Sequence, residues 1–193
     1  LKAVRACNDA SLHQGDDGRW QMEGDPTEGA LQTLAYKAGL ESFKPERIDL
    51  IPFESEHRYM ATLNEVDGEQ IIYMKGAPEK LLEYCSSQRT PEGDEPLDQE
   101  MWREQIGRQA GEGRRLIAAA TRVKEGSSDT FDHEAVSHDM VLLGLVGIID
   151  PPREEVIDAI RSCQRAGIQV KMITGDHLET ARAIGEQLGI GEG

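Results

Sequence analysis

Between Arg47 and Lys75 the chain runs through three strand-like stretches, Ile48–Phe53, Arg58–Val66 and Glu69–Lys75, and Asp67-Gly68 separates the last two as a two-residue hairpin turn. This pattern predicts an antiparallel sheet. Ahead of it, Asp25 is a helix N-cap, Pro26 takes the first helical position and Glu28 completes a capping box; Leu31, Leu34, Ala35 and Ala38 share one face, and Gly39 is the stop. Leu1–Leu12 reads as a short helix running into a loop over His13–Gly18. After the sheet the expectation is a helix over Ala77–Tyr84, a polar loop over Ser86–Pro96, a helix over Leu97–Gly111 and a strand over Arg115–Val123. Gly126–His138 reads as an irregular excursion.

The pattern changes at Met140. Met140–Ile149 is almost continuously apolar, as a strand buried on both faces requires. Pro151-Pro152 then opens a helix with Val156, Ile157, Ile160 and Cys163 inward and Gly167 at its end; Ile168–Ile173 reads as a second buried strand, and Leu178–Leu188 as a helix closed by Gly189. The expected class is α/β: an α+β domain over residues 1–139, an antiparallel sheet flanked by helices, followed by a partial parallel β-α-β-α domain over residues 140–193. That second piece is expected to leave sheet edges bare.

The formal charge of −15 argues against nucleic acid as a partner, because an acidic surface repels phosphates and any nucleotide must be held by a few local cations. Val141–Ile149, the longest apolar stretch, is short of the roughly 20 residues a spanning helix needs, and no charged-then-apolar leader opens the chain, so the expectation is a soluble piece without direct membrane contact. Cys7, Cys85 and Cys163 lack CxxC spacing and fit free thiols in a reducing compartment. The five histidines show no ligand spacing, and no HExxH or Gly-x-Ser-x-Gly pattern occurs; no metal ligands are assigned.

Four separated segments carry candidate chemistry: Gly24-Asp25-Pro26-Thr27-Glu28-Gly29-Ala30-Leu31; Pro52-Phe53 through Arg58; Lys75-Gly76-Ala77-Pro78-Glu79; and Asp150-Pro151-Pro152-Arg153 followed by Thr174-Gly175-Asp176. In this order they resemble the P-type cation-transporting ATPases of the calcium and sodium/potassium types, over essentially the whole chain. The resemblance implies a nucleotide-binding domain followed by part of a HAD-like phosphorylation domain, with ATP as ligand and Mg²⁺ as cofactor.

It also implies roles. Glu28 is to face the adenine amino group, a reasonable task for a carboxylate acceptor, while the residues alone equally allow it to be only a helix cap. Phe53 is to stack on adenine, with core filling as its plain alternative. Lys75 is to line the floor of the pocket, with Gly76 permitting close approach. Arg115 is to contact the polyphosphate, with Arg114 a competitor one position away. Arg58 stands where the family carries a lysine, and Ser55 where relatives often have an arginine. Thr174, Gly175 and Asp176 resemble the loop at the γ-phosphate and acyl-phosphate, supported by Asp150.

The family's reaction passes the γ-phosphoryl group to an aspartate in an Asp-Lys-Thr-Gly-Thr motif, and neither this motif nor the Gly-Asp-Gly-x-Asn-Asp loop for Mg²⁺ occurs here. The expectation is therefore a fragment that binds ATP but is inactive alone. Its partners would be the remaining phosphorylation, actuator and transmembrane domains of the same pump, at the cytoplasmic face of a membrane. The ion is open, calcium-type on motif subtype with magnesium or sodium/potassium as alternatives. A stand-alone nucleotide-sensing or interaction module is the other reading; a soluble phosphatase would need an Asp-x-Asp pair that is not found.

Overall fold

The computed structural model describes residues 1–124, 130–149, 153–174 and 178–190. Its elements in chain order are α1 (Lys2–Ala6), β1 (Ser11–Gln14), β2 (Trp20–Glu23), α2 (Pro26–Lys37), β3 (Glu46–Ile51), β4 (Tyr59–Val66), β5 (Glu69–Gly76), α3 (Pro78–Tyr84), β6 (Cys85–Thr90), β7 (Gly93–Pro96), α4 (Gln99–Gly111), β8 (Arg115–Val123), β9 (Met140–Ile148), α5 (Glu154–Arg165) and α6 (Leu178–Leu188). Leu1–Gln99 with Ile117–Val146 form one unit, and Glu100–Leu116 with Gly147–Gly193 a second. The class is α/β, as the alternation of patterns implies.

The first unit is organised by the predicted hairpin. β4 and β5 pair antiparallel from Val66↔Glu69 to Tyr59↔Gly76, leaving Asp67-Gly68 as the turn. Both turn residues have positive φ, 54° and 87°, the backbone that matches the twist of a tight hairpin and that Asp and Gly tolerate best. Neighbours then build a seven-stranded sheet in the order β3-β4-β5-β8-β9-β6-β7. Tyr59, Met60, Ile72 and Met74 are fully buried. α1 packs on β5 and α2, and α3 packs on β5 and β6.

Several segments depart from the sequence expectation. Leu1–Leu12 is not one helix: α1 ends at Ala6, and Ser11–Gln14 pairs instead with Trp20–Glu23. The cause is Asn8, whose side chain accepts from Ala10 N at 2.9 Å and donates to the Val4 and Glu28 carbonyls at 3.2 and 3.0 Å, competing with the helix for local backbone groups. Ser86–Pro96 is a hairpin, β6–β7, rather than a loop. Its polar run becomes a strand because β6 also joins β9 in parallel, Cys85↔Met140 to Gln88↔Leu142, while Arg89–Asp94 and Gln88–Glu95 pair across the hairpin. β7 is exposed throughout and ends in Pro96, as edge strands often do. β9, expected to open a separate domain, is an inner strand of this sheet. Within the predicted irregular excursion, residues 130–138 carry neither helix nor strand, and 125–129 lie outside the described residues.

In the second unit α5 and α6 are in contact, with Gln164 Nε2 donating to the Gly189 carbonyl at 2.7 Å. The end of α5 is the predicted glycine stop: Gly167 has φ 76° and Ile168 N bonds back to the Cys163 carbonyl at 2.9 Å. Of the face expected inward, Ile160 is buried, Ile157 and Cys163 are half-buried, and Val156 is exposed. Ile168–Ile173 is not a strand. Among the described residues no strand pairs with it to supply its ladder bonds, and Ile173 is 96% exposed.

Candidate functional site

The N-terminus of α2 sets the first functional group. Asp25 accepts from Thr27 N at 2.8 Å and Glu28 N at 3.2 Å, a cap of about 1 kcal/mol. The return half of the predicted capping box is replaced by longer-range contacts. Glu28 Oε1 pairs with Lys75 Nζ, and Oε2 accepts from Asp9 N at 3.1 Å. The carboxylate therefore spans three parts of the chain.

Lys75 is carried on β5, opposite Met60 of β4 and Ala119 of β8, and its side chain is only 8% exposed. An ammonium at that depth requires a counter-charge, which Glu28 supplies. The loop that closes on Glu28 is itself held: Arg47 of β3 binds Asp9 Oδ1 at 2.6 Å and the Ala6 and Asn8 carbonyls at 3.1 and 2.7 Å. Cys7 lies in the same layer, its thiol donating to the Met60 carbonyl at 3.3 Å. Burial pushes that thiol up to about 11, with the nearby Lys75 charge pulling more weakly the other way.

Asn8, Asp9 and Arg47 belong to the site as braces and were not foreseen. Their long-range contacts cross 19 to 41 residues of chain, and nothing in local spacing marks them.

Phe53, Arg58 and Gly76 gather at the end of the sheet where β3 and β5 finish and β4 begins. Phe53 lies two residues past the last β3 pair, Ile51↔Ala61, and is 58% exposed, which contradicts a core-filling role. Arg58 is exposed, has φ 59°, and gives its carbonyl to Ala77 N at 2.9 Å. Gly76 faces this bend so closely that a Cβ there would fall 2.5 Å from the Arg58 carbonyl oxygen, so glycine is needed for close packing.

The remaining predicted groups are not brought into this cluster by any described contact. Arg115 is exposed and falls in the second unit, as does its competitor Arg114, which is tied to Gln109 and to Glu112 at 2.8 Å. Thr174 is exposed in the second unit. Asp150, Gly175 and Asp176 lie outside the described residues.

Residues 1–155 match the family model for the P-type ATPase cytoplasmic domain N. The chain belongs to the P-type ATPases. It is 47% identical over 191 residues to the cation-transporting ATPase pma1 of Synechocystis, 95% of this chain but 21% of that protein. It is 40% identical over 192 residues to the calcium-transporting ATPase of Bacillus subtilis, covering 94% and 21%, and 38% identical over 202 residues to the sodium/potassium exporting P-type ATPase cta3 of Schizosaccharomyces pombe, covering 98% and 19%. The chain thus spans about a fifth of the length of these relatives. Glu28, Phe53, Arg58, Lys75, Gly76 and Arg115 all fall inside the matched P-type ATPase region, whereas Thr174, Gly175 and Asp176 lie beyond it. Among the described residues, no helix is long and apolar enough to cross a membrane.

Proposed function

We propose that this chain is the ATP-binding portion of a P-type cation pump, at the cytoplasmic face of a membrane. The observation that carries the reading is the convergence of Glu28 of α2 and Lys75 of β5, 47 residues apart, into one largely buried pair, beside the exposed Phe53 that follows β3 of the same sheet as β5. Phe53 offers a stacking face worth about 1–3 kcal/mol for a base. Glu28 uses one lone pair per oxygen on Lys75 and Asp9, which leaves acceptor capacity for an exocyclic amino group. Lys75 supplies a fixed positive charge, and Arg58 supplies an exposed one for phosphate oxygens; Arg115 is assigned the same task from its motif.

Asp150, Thr174, Gly175 and Asp176 are assigned to the phosphate end on the same motif basis. The corresponding division places residues 1–139 in the nucleotide-binding part and 140–193 at the opening of the phosphorylation domain, although β9 lies in the sheet of the first unit. In the whole pump the phosphoryl group would pass to an aspartate outside this chain and drive cation export or uptake, calcium being one candidate ion. Mg²⁺ prefers an octahedron of oxygens, and the one candidate metal cluster among the described residues contains two imidazoles, so the ion is expected to arrive on the nucleotide's phosphates. The chain's own part is to bind and orient adenosine, not to cleave ATP.

An ATP titration read at the backbone amides of Glu28, Phe53 and Lys75 tests this. Saturation near the millimolar range, about −4 kcal/mol, is expected, with Phe53→Ala weakening it about tenfold. Unmoved amides at several millimolar ATP would remove the proposal.

A further inference from the structure

Glu54 and His57 lie between β3 and β4, and His133 comes from the segment ahead of β9, so sequence spacing hides their relation. The fold brings them together. His57 Nε2 is 3.5 Å from Glu54 Oε2, the two imidazole rings stand 4.0 Å apart centre to centre, and each of the three residues offers a donor atom within 4.8 Å of the other two. His133 Nδ1 hydrogen-bonds to Tyr59 Oη at 2.6 Å, and Tyr59 is wholly buried with its ring edge-on to Tyr84 at 5.5 Å.

Two features make this arrangement suited to an ion. Metal-binding histidines commonly donate their other ring N–H to an oxygen partner that orients the ring, and Tyr59 stands in that place; donation from Nδ1 leaves the Nε2 lone pair for an ion. The chain's charge of −15 also raises the local concentration of cations.

We infer that Glu54, His57 and His133 form a binding site for a borderline divalent transition ion of the zinc class, completed by water. Two nitrogens and one carboxylate oxygen suit Zn²⁺, Co²⁺ or Ni²⁺ and not the all-oxygen preference of Mg²⁺ or Ca²⁺. Tetrahedral bonds of about 2.0–2.1 Å set donors about 3.3 Å apart. The Glu54–His57 separation of 3.5 Å is already close to this, and the 4.8 Å limit on the trio leaves at most about 1.5 Å to close with partly exposed side chains. A bound ion would tie the segment between Phe53 and Arg58 to residues 130–138. The site does not depend on the nucleotide reading, and the two can fail separately.

The test is calorimetric titration of the tag-free chain with Zn²⁺, repeated with Mg²⁺, and absorption spectroscopy with Co²⁺. Cys163→Ser serves as the background, because Cys163 is the half-buried thiol while Cys7 and Cys85 are buried. One equivalent of Zn²⁺ should bind in the micromolar range and Co²⁺ should show tetrahedral bands, with Mg²⁺ silent. His57→Gln and Glu54→Gln should each weaken zinc at least tenfold, and His133→Ala should abolish its binding; His138→Gln should leave it unchanged. If loss of the Tyr59 contact unfolds the His133 variant, the His57 and Glu54 variants decide alone, since neither side chain bonds to the core. Absence of zinc binding at about 100 µM, or equal affinity in His57→Gln, overturns the site.

Discussion

Lys75 reaches Glu28 from an inner strand whose neighbours on both sides hold it in register, and the loop that closes on Glu28 is clamped by Arg47. In the second unit no described strand pairs with the segment leading to Thr174, and Ile168 and Ile173 are exposed. One unit holds Lys75 by strand pairing on both sides, whereas among the described residues no strand pairs with residues 168–174 of the other. The difference is one of preorganisation, which reduces the ordering cost of binding. It follows that substitutions at equally motif-like positions should have very unequal effects.

The largest effect is expected at the ion pair. Lys75→Met leaves the Glu28 carboxylate largely buried without its counter-charge, and breaking a buried pair from one side costs about 3–5 kcal/mol. Chemical denaturation of the variant should show a loss in that range, and Lys75→Met with Glu28→Leu should recover a substantial part of it. A loss below about 1 kcal/mol would mean that the pair is solvated and that the claimed contrast in rigidity does not exist.

A smaller effect should appear with pH. Burial raises the folded-state pKa of Cys7 to about 11 and of Cys85 to about 12, both in the first unit. The fold therefore holds these protons more tightly than the unfolded chain does. That contribution is complete below the ordinary thiol value of 9.0 and is lost as pH rises through the folded value. Between pH 9 and 11 the stability of the first unit should fall by on the order of 2–3 kcal/mol from Cys7 alone, and Cys7→Ala should flatten the slope. A flat denaturation midpoint across that window would show the thiols to be accessible.

The contrast also explains what could be read before the fold was known. The β4–β5 hairpin was legible because Asp67-Gly68 specifies the turn locally and alternation specifies the faces. The α2 cap was legible in half: Asp25 acts over two and three residues, whereas the Glu28 side chain is decided by Lys75 and Asp9, which local spacing cannot supply. Ser86–Pro96 has the composition of a loop and becomes a hairpin because β9, some fifty residues later, offers it an edge. Ile168–Ile173 fails in the opposite sense. Its composition suits a buried strand, but a strand is completed by its neighbours, and the described residues provide none.

The smallest expected effect sharpens the comparison most. Ile173 is 96% exposed, so Ile173→Ser removes almost no buried apolar surface and should change stability by no more than about 0.5 kcal/mol. Ile72→Ser, at a fully buried position on β5, should lose several kcal/mol through the cavity and the unsatisfied hydroxyl. Two isoleucines in strand-like stretches would then differ only in whether a sheet surrounds them. If Ile173→Ser proves as costly as Ile72→Ser, residues 168–174 are packed in solution, and the second unit holds its motif segment as firmly as the first holds Lys75.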